Sequence, residues 1–322
     1  MKQKHLFQLG VLGIFICFSV AAWAGGQIGS AETQTGTLIA QNGFRDSWTS
    51  EGTEGERVVI TATGTSASAA SPQAPTPIRI MPLGDSITYG TNSTGTVGYR
   101  RPLYQLLIGA GHNVDFVGSQ TDGSPEDFDR NHEGHRGWRA DQIRDYVTGW
   151  LNSTPADVIL LHIGTNDISQ YQGAAGTASD IGQILDLIDD WEEANNEVWV
   201  VLARIINRKD SLSGTTTTLN GLIQTLANTR IAAGDRIVVV DMESALSYPA
   251  DLSDTVHPND TGYGKMAAAW FAKLETLLSL LSNPDRDGDC DVDGTDLAAF
   301  IADTRMLDIA AFAQKFGRNA CP

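Results

Sequence analysis

A chain of 322 residues with 22 Lys plus Arg against 39 Asp plus Glu carries a formal net charge of -17. With no clustered stretch of Lys and Arg, that balance excludes a nucleic-acid partner, because phosphate recognition needs concentrated positive charge. A hydrophobic share of 41% and a charged share of 19% describe a globular chain, long enough for one sizeable domain with appendages or for two modest ones.

Lys2 and Lys4 precede an apolar run over residues 6–23 that closes on Ala22-Trp23-Ala24, a small-x-small pattern. This predicts a secretory signal peptide over 1–24, cleaved after Ala24, and hence a secreted, extracellular protein without a membrane span. An uncleaved anchor is the alternative, near the lower length limit for crossing a bilayer. Cleavage leaves 20 basic residues against 39 acidic ones, a net charge of -19. It also leaves Cys290 and Cys321 as an even pair in an oxidising compartment, where a bond between them is expected. The chain-entropy argument gives such a bond about 3 to 4 kcal/mol.

Residues 25–77 are rich in Gly, Ser, Thr and Ala, end in Pro72, Pro75 and Pro77, and lack a sustained period outside 57–63. They read as a surface linker. From Ile78 onward short apolar runs alternate with amphipathic ones. Strands are predicted over 78–83, 113–117, 157–163, 197–205 and 236–241, and helices over about 99–110, 139–151, 178–194, 215–232 and 260–282. Five strands alternating with helices imply a parallel sheet covered on both faces, with active residues at the carboxyl ends of its strands.

Directly after the first strand stands Gly84-Asp85-Ser86-Ile87-Thr88, where a glycine permits a sharp turn and a serine is presented at the sheet edge. Ser86 is a candidate nucleophile, although a serine so placed can equally be a helix N-cap. Its hydroxyl is weak without a base. Of the histidines after residue 24, only His257 lies beyond 162, in Asp254-Thr255-Val256-His257-Pro258. A carboxylate three residues ahead of the imidazole can hold one ring nitrogen in a tight turn while the other faces a serine. Ester chemistry further needs donors for an oxyanion. His132-Glu133-Gly134-His135-Arg136-Gly137-Trp138, ahead of a predicted helix, and Gly164-Thr165-Asn166-Asp167, after a predicted strand, are glycine-bearing turns that can supply them. A metal site on His132, His135 and Arg136 lacks a fourth ligand at a persuasive spacing.

These ordered blocks resemble the SGNH, or GDSL, hydrolase superfamily over about 78–282. The resemblance implies a three-layer α/β/α sandwich on a five-stranded parallel, flavodoxin-like sheet. It implies Ser86 as nucleophile, His257 as base and then acid, and Asp254 as its orienter. The Ser86 and Gly137 N–H groups and the Asn166 side chain would form the oxyanion hole, with Gly134 as the other glycine able to take the Gly137 place. The His132 to Trp138 block and Gly98-Tyr99-Arg100-Arg101-Pro102-Leu103 are similar to carbohydrate esterase family three, whose members are acetyl xylan esterases. That implies an acetylated polysaccharide substrate, contacted by Asp85 and Trp138, and no cofactor for catalysis. Lipases, lysophospholipases and arylesterases of the superfamily are the alternative activities. A non-catalytic carbohydrate-binding surface protein is the alternative of another class.

Residues 285–296 read Asp-Arg-Asp-Gly-Asp-Cys-Asp-Val-Asp-Gly-Thr-Asp. This spacing matches an EF-hand loop, with Asp285, Asp287, Asp289, Asp291 through its carbonyl, Asp293 and Asp296 as ligands for one structural Ca2+. The region 283–322 resembles a dockerin, a small helical module, and Asp296-Leu-Ala-Ala-Phe is echoed by Asp308-Ile-Ala-Ala-Phe. Cys290 stands where the loop ordinarily has glycine, and the second copy lacks a full acidic loop. The tail is therefore expected to bind one calcium and to serve as an attachment to a scaffold or a cell surface.

Overall fold

The computed structural model describes residues 76–282 and three earlier strands. The predicted signal peptide, the predicted calcium loop and the expected Cys290–Cys321 pairing lie outside the described residues. The chain divides into two units, 1–73 and 74–322.

Within the first unit, β1 (Glu32–Ile39), β2 (Arg45–Gly52) and β3 (Thr61–Thr63) form an antiparallel sheet, registered from Glu32 opposite Gly52 to Ile39 opposite Arg45. This departs from the linker expectation for that stretch. Thr33, Thr35 and Thr37 alternate along β1, and β-branched residues at a period of two suit a pleated strand even where large apolar residues are few.

The second unit is built on β4 (Ile78–Gly84), β5 (Val114–Phe116), β6 (Gln120–Thr121), β7 (Asn131–Gly134), β8 (Val158–His162), β9 (Trp199–Arg204) and β10 (Ile237–Asp241). Their order is β10-β9-β8-β4-β7-β6, with β5 also on β4. All five expected strands are present and parallel. The far edge of β4 is shared. Its first half pairs with β5, and its last two residues, Leu83 and Gly84, pair with Glu133 and Gly134 of β7. β7 stands where a turn is expected, since its sequence, Asn-His-Glu-Gly, has no apolar alternation, yet His132 and Glu133 are buried.

Helices α2 (Arg100–Gly109) and α8 (Asp260–Ser282) cover one face, and α3 (Ala140–Ser153), α5 (Gly173–Glu192) and α6 (Ser213–Ala233) cover the other. Short turns α1 (Ser86–Tyr89), α4 (Thr165–Ser169) and α7 (Met242–Ala245) follow strand ends. Each long helix forms where its apolar residues recur every three or four positions. On α3 these are Ala140, Ile143, Val147 and Leu151, all fully buried against the sheet. Burial of side chains the size of Ile143, Val147 and Leu151 stabilises by about 1.5–3 kcal/mol each. The result is the expected three-layer α/β/α sandwich. β4 lies between β8 on one side and β5 and β7 on the other, so the carboxyl ends of β4, β7 and β8 converge where a doubly wound sheet opens its crevice.

Candidate active site

Where β4 ends, the chain must pass close to β8. A Cβ on Gly84 would collide with the backbone carbonyl of His162 and lie 2.6 Å from Thr88 Oγ1, so only glycine allows this approach. The fully buried Asp85 then caps α1, its Oδ1 accepting from Ile87 N–H at 2.9 Å. Ser86 opens the helix and is nearly buried.

The imidazole reaches this serine from a turn ahead of α8. Leu252 and Pro258 bridge antiparallel, and Ser253 N–H donates to the His257 carbonyl at 2.9 Å, closing residues 253–257 into a tight loop. Asp254 Oδ1 accepts the N–H groups of Val256 and His257 at 2.9 and 2.8 Å, which aims its other oxygen at the ring. His257 Nδ1 lies 2.8 Å from Asp254 Oδ2, and His257 Nε2 lies 2.8 Å from Ser86 Oγ. Partial burial alone would raise the Asp254 pKa. The two backbone donors and the imidazole outweigh it and hold the group at about 2, ionised at any working pH. An ionised carboxylate, an imidazole and a hydroxyl in line can move a proton from oxygen to nitrogen.

Two further turns face this line. The loop after β7 carries Gly137 in the left-handed region, at φ 80°, on the surface. Gly134, the other candidate donor, gives its N–H to His132 Nδ1 at 2.9 Å, so Gly137 is the better placed of the two. At the start of α4, half-buried Asn166 donates its amide to the Trp138 carbonyl at 2.8 Å and, more weakly, to Asp85 Oδ2 at 3.4 Å. Ser86, Asp85, Gly137, Trp138 and Asn166 therefore come together at one sheet edge with His257 and Asp254.

Comparison with known proteins agrees with this geometry. Residues 83–265, more than half of the chain, match the GDSL-like Lipase/Acylhydrolase family. The chain belongs to that family. Over 234 residues it is 31% identical to a multidomain esterase of Ruminococcus flavefaciens, a stretch that covers 65% of this chain and 30% of that protein. The chain thus spans under a third of that relative's length. A family 3 carbohydrate esterase of Clostridium thermocellum superposes with a TM-score of 0.57 at 30% identity, covering 64% of this chain and 98% of its own. An acetyl esterase mutant solved with acetate ion does so with a TM-score of 0.55 at 30% identity, covering 63% and 98%.

In this acylhydrolase domain two expected substrate contacts need revision. Asp85 is fully buried, and burial pushes its pKa up to about 7, with the neighbouring Asp167 adding to the rise. A side chain so enclosed cannot meet a substrate; it supports α1 and faces Asn166. Trp138 is half-buried, and one of its faces is taken by His135, stacked at 4.3 Å and 24°. Tyr146 and Trp150 complete this aromatic cluster on α3. His132 and His135 diverge to separate partners. Burial drives His132 down to about 2, whereas His135 Nε2 pairs with Glu133 at 2.8 Å. Among the described residues no three His, Cys, Asp or Glu side chains are grouped to hold a metal, and no helix is long and apolar enough to cross a membrane.

Two further residues support the site in ways that no motif assigns. Buried Arg100 donates to five carbonyls, those of Thr88, Tyr89, Thr96, Asp122 and Arg130, and so pins the segment that follows Ser86. Asn92, on that same segment, donates to Asp254 Oδ2 at 2.7 Å. The block containing Arg100 signals its presence, but nothing local in the sequence signals the Asn92 contact.

Proposed function

We propose that this protein is a secreted serine esterase that removes acetyl groups from plant cell-wall polysaccharide, in the manner of an acetyl xylan esterase. The observation that carries the reading is the unbroken hydrogen-bonded line from Ser86 through His257 to Asp254, with both links at 2.8 Å.

In this reading Ser86 Oγ bonds to the acyl carbon while His257 Nε2 takes its proton, and Asp254 stabilises the imidazolium. The carbonyl oxygen, now negative, is met by the Ser86 and Gly137 N–H groups and by the Asn166 amide, which turns from the Trp138 carbonyl when a substrate is bound. The sugar oxygen leaves with the proton from His257. Water then repeats the sequence on the acyl-enzyme and releases acetate. In this reading the chemistry uses the protein's own side chains and backbone N–H groups, without a cofactor. The polysaccharide assignment rests on the similarity to a carbohydrate esterase and to an acetyl esterase, and on exposed aromatic surface beside the loop bearing Gly137. The tail at 283–322 is read as a one-calcium module that attaches the enzyme to a scaffold or surface, closed by Cys290–Cys321, after removal of the signal peptide 1–24.

Hydrolysis of a chromogenic acetate ester by wild type and Ser86→Ala tests the chemistry, and equal rates would end the enzyme reading. Acetate release from acetylated xylan, mannan, pectin and chitin tests the substrate. A preference for long acyl chains over acetyl would move the assignment to a lipase.

A further inference from the structure

We propose that Asn92 is a positioning residue of this site: its side-chain amide fixes the Asp254 carboxylate, and through it the His257 ring, from the segment that follows Ser86. The inference rests on the reading of Ser86, His257 and Asp254 as the ester-cleaving line.

The Asp254 side chain is 46% exposed, so water competes for its oxygens and packing alone cannot set its plane. Hydrogen bonds must. Oδ1 is held by two N–H groups of its own turn. Oδ2 is shared between His257 Nδ1 at 2.8 Å and Asn92 Nδ2 at 2.7 Å, and Asn92 is the single donor among these four from outside the loop, 162 residues away in sequence. A neutral amide satisfies the second lone pair of Oδ2 without adding a charge that would compete with the imidazolium.

The backbone around Asn92 is arranged for this contact. Asn92 is left-handed at φ 67°, a conformation that asparagine tolerates better than most residues. Thr91 N–H donates to the Ser86 carbonyl at 2.9 Å, and Tyr263 OH on α8 donates to the Thr91 carbonyl at 2.7 Å. Thr94 gives its N–H and hydroxyl to the Asp260 carboxylate at 2.7 and 2.6 Å. Two routes therefore run from Ser86 to Asp254, one through the imidazole and one through Thr91 and Asn92. The second route registers two segments that the sequence holds far apart. The ionisable groups facing Asp254 are His257 on its own loop and Tyr263 on α8, and Asp260, at the start of α8, is bound by Thr94.

The test compares the full chain with Asn92→Gly, which keeps the left-handed turn and removes the donor, and Asn92→Asp, which keeps shape and turn but replaces the donor by an acceptor. Three readouts are made on each: kcat and KM on a chromogenic acetate ester across pH 5 to 9, thermal unfolding, and the downfield proton resonance of the His257 Nδ1–H. For Asn92→Gly we expect kcat to fall roughly tenfold, KM to stay within about twofold, and the resonance to broaden, as for loss of one hydrogen bond to a charged group. Asn92→Asp should lose roughly a hundredfold at neutral pH, because two carboxylates then face each other, and recover partly as pH falls. If both variants retain kcat, the pH profile and the resonance, the proposal fails. An inactive wild type whose resonance is lost in the variants would instead sink the esterase reading and leave the positioning role standing.

Discussion

The turn that presents Ser86 and the loop that presents His257 meet at one point but are held in opposite ways. The serine turn is buried and fixed by close packing. Gly84 lies against the His162 backbone, Asp85 is enclosed, and Arg100 binds the carbonyls that follow. The histidine loop lies nearer solvent and is fixed by hydrogen bonds to one carboxylate. Damage to the first should therefore register in folding, and damage to the second in turnover. The difference can be broken experimentally.

The largest effect is expected at the exposed loop. Asp254→Asn removes the ionised acceptor and should lower kcat about 10⁴-fold, as the same change does in serine proteases, while the melting temperature moves little. A fold that collapses instead would place Asp254 in the scaffold and erase the contrast. Next comes Gly84→Ala in the buried turn. Its new methyl meets backbone, which cannot step aside, so urea unfolding should show a loss of about 3 kcal/mol or more. A variant as stable as wild type would mean that β4 and β8 separate more easily than their packing implies.

The same contrast explains which features are legible in the sequence. Periodic apolar residues such as Ala140, Ile143, Val147 and Leu151 announce a helix by their spacing alone, because burial of a stripe is itself the cause of the helix. Ser86, Asp254 and His257 are legible because each sits in a short local motif whose chemistry needs those neighbours. β7 is hidden because His132 and Glu133 are polar residues buried through specific partners, which no hydropathy pattern records. The sheet of β1 to β3 is hidden among threonines and glycines that also suit a linker. Asn92 is hidden for a third reason: its role exists only once residues 162 positions apart meet. The substrate contact expected of Asp85 fails on burial, which its motif does not encode.

That burial supplies the smallest and most specific prediction. The Asp85 pKa is raised from 3.8 to about 7, first by loss of solvent and then by Asp167, against the opposing N–H of Ile87. A carboxyl raised in the folded state contributes stability in full below its unfolded pKa and loses it as pH climbs through the folded value. Its contribution should therefore decline between about pH 4 and 7 and be constant above. Asp85→Asn keeps an acceptor for Ile87 N–H and removes the charge, so it has no such decline. Facing the Asn166 amide, which approaches Asp85 Oδ2 at 3.4 Å, costs the variant a fixed amount at every pH. Asp167, itself raised to about 6 by burial, titrates in both proteins and largely cancels from their difference. Chemical unfolding of the pair from pH 4 to 9 should show the variant gaining on wild type up to about pH 7 and then running parallel to it. A difference that does not change with pH would mean that Asp85 is ionised at no cost, and that the buried half of the site is held by something other than packing.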